Sequence, residues 1–98
     1  MVIYEVTAVV RPDLTDAYEA YMRRHIPELL ATGCFEGASF ARSTANRYRI
    51  RYDARDQQAL DRYLADHAPR LRADFVEHFP AGVEVSRENW QTLGSWRP

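Results

Sequence analysis

Two histidines with the same sequence neighbourhood are the first residues in this chain that could do chemistry. His25 lies in YMRRHIPELL, which begins at Tyr21, and His67 lies in YLADHAPRLR, which begins at Tyr63. Both follow the order Tyr, apolar, two free positions, His, any residue, Pro, any residue, Leu, at a constant offset of 42 residues. An imidazole titrates near neutrality and ligates metals, so the pair suggests either acid–base work or a shared metal ion. Geometry opposes sharing. On two antiparallel helices, each histidine about five residues past its helix centre, the axial separation is roughly 15 Å, added to ~8–10 Å between axes. A zinc ion needs ligands at ~2.1 Å. The expectation is therefore no metal, with each imidazole buried and hydrogen-bonded to carbonyls freed by the nearby proline.

The second candidate is a row of cations. Arg47, Arg49 and Arg51 alternate with Tyr48, Ile50 and Tyr52, which places all three guanidinium groups on one face of a strand. Such a row suits a carboxylate or phosphate, or the cross-strand carboxylates of Glu5, Glu84 and Glu88. Tyr4, His25 and His67 complete the set of expected ligand-binding residues. Cys34 has no cysteine partner and no basic cluster beside it, and reads as an inert thiol. Glu28 follows the proline break and reads as structural, and Arg70 and Arg72 read as facing solvent or a carboxylate, with an anion clamp as the lesser alternative. Glycine-rich phosphate loops, CxxC, HExxH and GxSxG are all absent, which removes the common nucleotide, zinc and serine-hydrolase classes.

Composition bounds what these residues can serve. Ninety-eight residues make one domain that buries roughly 60–70% of its unfolded surface. A net charge of −1 leaves no electrostatic footprint for nucleic acid or an anionic membrane. The single cysteine excludes an internal disulfide framework and suggests a cytoplasmic protein. No apolar run approaches a membrane span, and no secretory signal is visible at the start.

The elements that must position the candidates follow from periodicity. Residues 2–10 read as a central strand with Val2, Tyr4, Val6 and Ala8 on one face. Asp13 or Thr15 is suited to cap a helix whose stripe is Leu14, Tyr18, Met22, His25 and Leu29; Pro27 is expected to kink or restart it, and Gly33 to close it. Strands are expected over 34–42 and 47–53, with a turn at 43–46. A second helix from about Asp56 is broken near Pro69 and continues to about Phe79, and a last strand covers 83–90. Two split βαβ units in this order predict an α+β, ferredoxin-like βαββαβ sandwich over residues 1–93, with antiparallel order 4-1-3-2, both helical segments on one face, and a tail at 94–98. The other face then carries Glu5, Thr7, Arg47, Arg49, Arg51, Glu84, Ser86 and Glu88.

The segments HIPELLATGCF at 25–35 and DHAPRLRADF at 66–75, with the opening MVIYEV, resemble a bacterial family known only as a domain of unknown function. The resemblance spans Met1 to about Leu93. It implies a ferredoxin-like domain similar to the dimeric α+β-barrel superfamily, which includes cofactor-free monooxygenases, isomerases and stress-response proteins that pair through their sheets. The link between strands 2 and 3 is shorter here than that pattern has. No family catalytic residue exists to carry over. The expected protein is thus a homodimer that binds a small, anionic metabolite without a cofactor; the alternative is a non-catalytic interaction or regulatory module that uses its sheet face or its Trp96 tail.

Overall fold

The computed structural model describes residues 1–98, and its central strand is β1 (Val2–Val10). β1 is hydrogen-bonded on both sides. It pairs antiparallel with β3 (Arg47–Ala54) in a register that sets Tyr4 opposite Tyr52, and antiparallel with β4 (Val83–Gln91), where Glu5 faces Glu88. β2 (Gly37–Arg42) closes the other edge against β3, giving the order β2-β3-β1-β4. This is the ferredoxin-like α+β sheet that the element order predicts.

The helices lie on one face. A 3-10 turn at Pro12–Leu14 leads into α1 (Thr15–Ala31); α2 (Gln57–Asp66) and α3 (Ala68–His78) follow β3, divided at His67. Asp56 caps α2 by accepting from the Ala59 amide at 2.9 Å. Neither Asp13 nor Thr15 caps α1: Asp13 is ion-paired with Arg11, and the Thr15 hydroxyl donates to the Pro12 carbonyl. The two prolines of the repeat behave differently. Pro69 stands in the first turn of α3, where no amide donor is needed. Pro27 sits inside α1, which runs on to Ala31 without the expected restart. Pro27 and Arg23, the residue four earlier, are both exposed, so water can satisfy the Arg23 carbonyl that loses its helical donor. Gly33 closes the helix at φ +78°.

β2 begins three residues later than expected. Cys34 and Phe35 are both buried, which strand alternation forbids, and they serve as a core-filling turn before the strand. In the β2–β3 connection the left-handed residue is Ala45, while the Asn46 side-chain amide donates to the Val10 carbonyl and ties the turn to the end of β1.

All six tyrosines are buried, Tyr4, Tyr48 and Tyr52 from the sheet and Tyr18, Tyr21 and Tyr63 from the helices. Their rings pack edge-on, tilted and stacked with Phe35, Phe40, Phe75 and Phe79, and with one another, as in the tilted 4.9 Å Tyr18–Tyr48 pair. A core built on tyrosine has a consequence that a leucine core lacks. Each tyrosine hydroxyl needs a partner, and half of them have none within the protein, though none of these three oxygens is sealed off from the surrounding space.

Candidate functional site

Three of the six hydroxyls are paired. Tyr48 donates to Glu19 at 2.6 Å, Tyr21 donates to Asp74 at 2.6 Å, and Tyr4 accepts from Arg72 Nη2 at 3.0 Å. The hydroxyls of Tyr18, Tyr52 and Tyr63 make no hydrogen bond to the protein, and all three residues line one cleft between the sheet and the helices. Burial raises the pKa of each well above that of free tyrosine, so they stay neutral and can donate or accept.

Met22 and Leu29 of α1, Leu71 and Phe75 of α3, and Val6 and Val85 of the sheet make the remaining wall apolar. Free space in the cleft is about 40 Å³, enough for a water molecule or two but not for a ring. The cleft opens toward β4. On the inner face of that strand Val83 and Val85 are half-buried, and Arg87, opposite Val6, is exposed at the mouth.

Two charged or titratable groups reach this interior. Arg72 comes from α3, and its half-buried side chain turns inward instead of facing solvent as the HAPRLR sequence suggests. One arm bonds Tyr4, while Nε is buried with no partner, the one side-chain nitrogen or oxygen in the protein so placed. A buried donor left unpaired costs about 1–3 kcal/mol, and more when charged. His25 of α1 is 9% exposed and lies on the cleft wall. Its Nδ1 meets the Tyr21 hydroxyl at 3.2 Å, not a backbone carbonyl as the proline argument suggests. Burial lowers the His25 pKa, against weaker opposing contributions from Glu28 and Asp74, so the ring is neutral at pH 7.

The residues singled out in the sequence divide between two places. Tyr4 and His25 meet in the cleft. His67 stands at the α2–α3 joint, its ring stacked 6.4 Å from that of Tyr63, and does not line the cleft. Arg47, Arg49 and Arg51 project from the opposite face of the sheet, so they cannot act on a ligand held by Tyr4. The expected cross-strand pairs on that face do not form: Arg51 pairs along its own strand with Asp53 at 3.1 Å, and Glu5, Glu84 and Glu88 pair with nothing in the chain. Sequence reasoning ranked an anion clamp at Arg72 below solvent exposure and missed the free tyrosine hydroxyls. The usable signal for Arg72 was its position one residue after the stripe residue Leu71, on the flank of the buried face. Cys34 is fully buried beneath Thr32, and no group of three or more His, Cys, Asp or Glu is arranged to hold a metal ion.

The fold recurs in solved structures. SnoaB, a cofactor-independent oxygenase from Streptomyces nogalater, superposes with a TM-score of 0.75 at 16% identity, covering 96% of this chain and 94% of that one. Rv0793 from Mycobacterium tuberculosis gives 0.68 at 19% identity over 97% and 98% of the two chains. NE2512, a protein of unknown function from Nitrosomonas europaea, gives 0.72 at 13% identity over 99% and 93%. At these identities the likeness is one of fold alone. A comparison with curated proteins returns no match. A family model described as a domain of unknown function (DUF4286) matches residues 1–92.

Proposed function

The chain belongs to the DUF4286 family, whose description assigns no activity, and we propose from its cleft that it binds a small, planar aromatic anion between sheet and helices, as a protomer of a homodimer. The observation that carries this proposal is Arg72 Nε, a charged donor held in an apolar, ring-lined interior with nothing to bond. A carboxylate or phenolate oxygen supplies the missing acceptor, at the strength of a charge-assisted bond. The free hydroxyls of Tyr18, Tyr52 and Tyr63 offer further polar contacts, and the aromatic walls suit a flat ring. An aromatic ring needs a cavity of about 150 Å³. Binding therefore widens the cleft, with the half-buried Phe75 and Val85 displaced toward the open β4 side.

The fold is compatible with chemistry on such a ligand. SnoaB is described as a cofactor-independent oxygenase. No helix is long and apolar enough to cross a membrane, which fits a ligand taken from solution.

Dimerisation through the outer sheet face is supported by its charge pattern. Arg47, Arg49 and Arg51 form a stripe on β3, and Glu84 and Glu88 form one on β4, with β1 between them. A two-fold axis along β1 lays the arginine stripe of one protomer over the glutamate stripe of the other. The same contact covers Val9 and Trp90, which are 39% and 48% exposed in the single chain. The alternative, a non-catalytic interaction module, draws its support from Leu93 and Trp96, at 92% and 88% exposure. The discriminating experiment is titration of an aromatic carboxylate, 2-naphthoate, into the wild-type protein and an Arg72→Gln variant. The ligand proposal requires binding that the variant loses; the interaction module predicts no binding to either.

A further inference from the structure

We propose that His25 is a catalytic base that takes the proton from an acidic hydroxyl of an aromatic ligand in the cleft, with Tyr21 and Asp74 as positioning residues that keep its Nε2 lone pair free for the task. This rests on the ligand proposal above and adds a reaction to it.

Proton counting fixes the tautomer. Tyr21 has one hydroxyl proton, and at 2.6 Å from Asp74 Oδ2 it donates that proton to the carboxylate. Toward His25 Nδ1, 3.2 Å away, the same oxygen can then only accept. Nδ1 must therefore carry the hydrogen. A neutral imidazole has only one N–H, so Nε2 is the bare nitrogen. Nε2 makes no hydrogen bond in the protein. It is not sealed off either, since Arg72 Nε is the only buried side-chain nitrogen or oxygen without a partner. A histidine on the cleft wall with an accessible, unprotonated, unpartnered nitrogen has the geometry of a general base.

The charges around the ring suit the transfer. Glu28 on the same helix and Asp74 on α3 favour the protonated ring, while burial disfavours it and prevails in the empty cleft. Arg72 from α3 and Arg87 from β4 line the same cleft and favour a negative ligand oxygen. The hydroxyls of Tyr4, Tyr18, Tyr52 and Tyr63 supply dipoles without charge. A neutral phenol or enol enters the apolar cleft more cheaply than its anion does. The O–H bond then breaks, the proton forms N–H at Nε2, and the electron pair stays on the ligand oxygen beside Arg72. The imidazolium keeps its Nδ1–H on Tyr21, whose oxygen is made more negative by its bond to Asp74. No electrons are gained or lost. For an enol, return of the proton to carbon completes a tautomerisation with no other reactant.

The 42-residue echo supplies an internal contrast. Tyr63 and His67 occupy the positions of Tyr21 and His25, yet they are stacked without a hydrogen bond between the side chains, and His67 lies outside the cleft. The relay exists in one half only.

The test uses 4-nitrophenol, whose phenolate is yellow and whose phenol is not, titrated into the protein at a pH below the dye's own pKa, with 2-naphthoate in parallel because it has no hydroxyl proton to lose. Wild-type protein is expected to bind both and to raise the phenolate-to-phenol ratio of the bound dye about tenfold or more, a shift of one pKa unit. His25→Gln should lose the colour shift of whatever dye it binds, the bound dye keeping the phenolate-to-phenol ratio it has in free solution. Tyr21→Phe, which keeps the imidazole, should move the pH midpoint of the bound dye while leaving naphthoate affinity within about twofold. Naphthoate binding with an undiminished colour shift in His25→Gln, or with no shift in the wild type, overturns the base and leaves the ligand proposal standing. If Gln at 25 does not fold, an unmoved midpoint in Tyr21→Phe overturns the relay. Failure of the wild type to bind either compound overturns both proposals.

Discussion

Arg72 Nη2 donates to the Tyr4 hydroxyl at 3.0 Å, a bond that joins α3 to β1 across residues 68 positions apart and holds the guanidinium at the cleft wall with its Nε buried and unpaired. The same bond makes the interior polar where an ordinary core is apolar. A site of this kind trades stability for recognition.

That trade can be measured. Removing both partners together, as Tyr4→Phe with Arg72→Met, deletes the orphaned donor without leaving a new one, and such replacements are neutral or stabilising. The double variant should be as stable as the wild type or up to about 2 kcal/mol more so in urea unfolding, while losing 2-naphthoate binding. A loss above about 2 kcal/mol would show that the pair holds the fold together.

The paired and unpaired tyrosines should respond differently to loss of the hydroxyl. Tyr48→Phe breaks the 2.6 Å bond to Glu19 and should cost about 1 kcal/mol. Tyr52→Phe removes a hydroxyl with no protein partner and should change stability by less than about 0.5 kcal/mol. Equal costs at the two positions would contradict the division of hydroxyls between core and cleft.

Stability should fall in acid in two separable steps. Burial lowers the folded-state pKa of His25 below 6.5, so below that value the unfolded chain takes up a proton that the folded chain resists. The contribution of neutral His25 is thus complete above pH 6.5 and is lost as pH drops from there through the depressed folded value. Glu19, lowered from 4.5 chiefly by the Tyr48 hydroxyl and then by Arg42 and Arg23, contributes above 4.5 and is lost only at more acid pH. Denaturant midpoints measured across this range should show the upper step vanish in His25→Gln and the lower one persist.

Much of this architecture was legible in the sequence, and the reason is periodic. Alternation along RYRIRYD assigned Tyr48, Ile50 and Tyr52 to the core and the arginines to the outer face, and the register agrees. The helix stripe placed Tyr18, Met22, His25 and Leu29 inward, and all four are buried. The site was less legible, because charge was taken as a mark of exposure. Arg72 flanks its stripe, and only the position of Tyr4 across the interface decides that its long side chain turns inward. The repeat also concealed a difference. Pro27 is tolerated inside α1 on a solvent-facing turn, whereas Pro69 opens a new helix, so His25 ends in the cleft and His67 at a joint.

The outer face gives an independent prediction about assembly. Reversing Arg47 and Arg49 to Glu sets like charges across the proposed two-fold, which should weaken the dimer by about 100-fold or more in sedimentation experiments without altering the fold of the protomer. Restoration by Glu84→Arg with Glu88→Arg in the same chain would confirm the pairing of stripes. A dimer indifferent to both sets of changes would place the interface elsewhere.

The central claim, an anion site at Arg72, is tested most directly by calorimetric titration of 2-naphthoate into wild-type protein and into Arg72→Gln at the same ionic strength. A charge-assisted bond is worth about 1.5–3 kcal/mol, so the account predicts wild-type binding that weakens about 10- to 100-fold in the variant. Equal affinity in the two proteins, or no binding to the wild type, would contradict it.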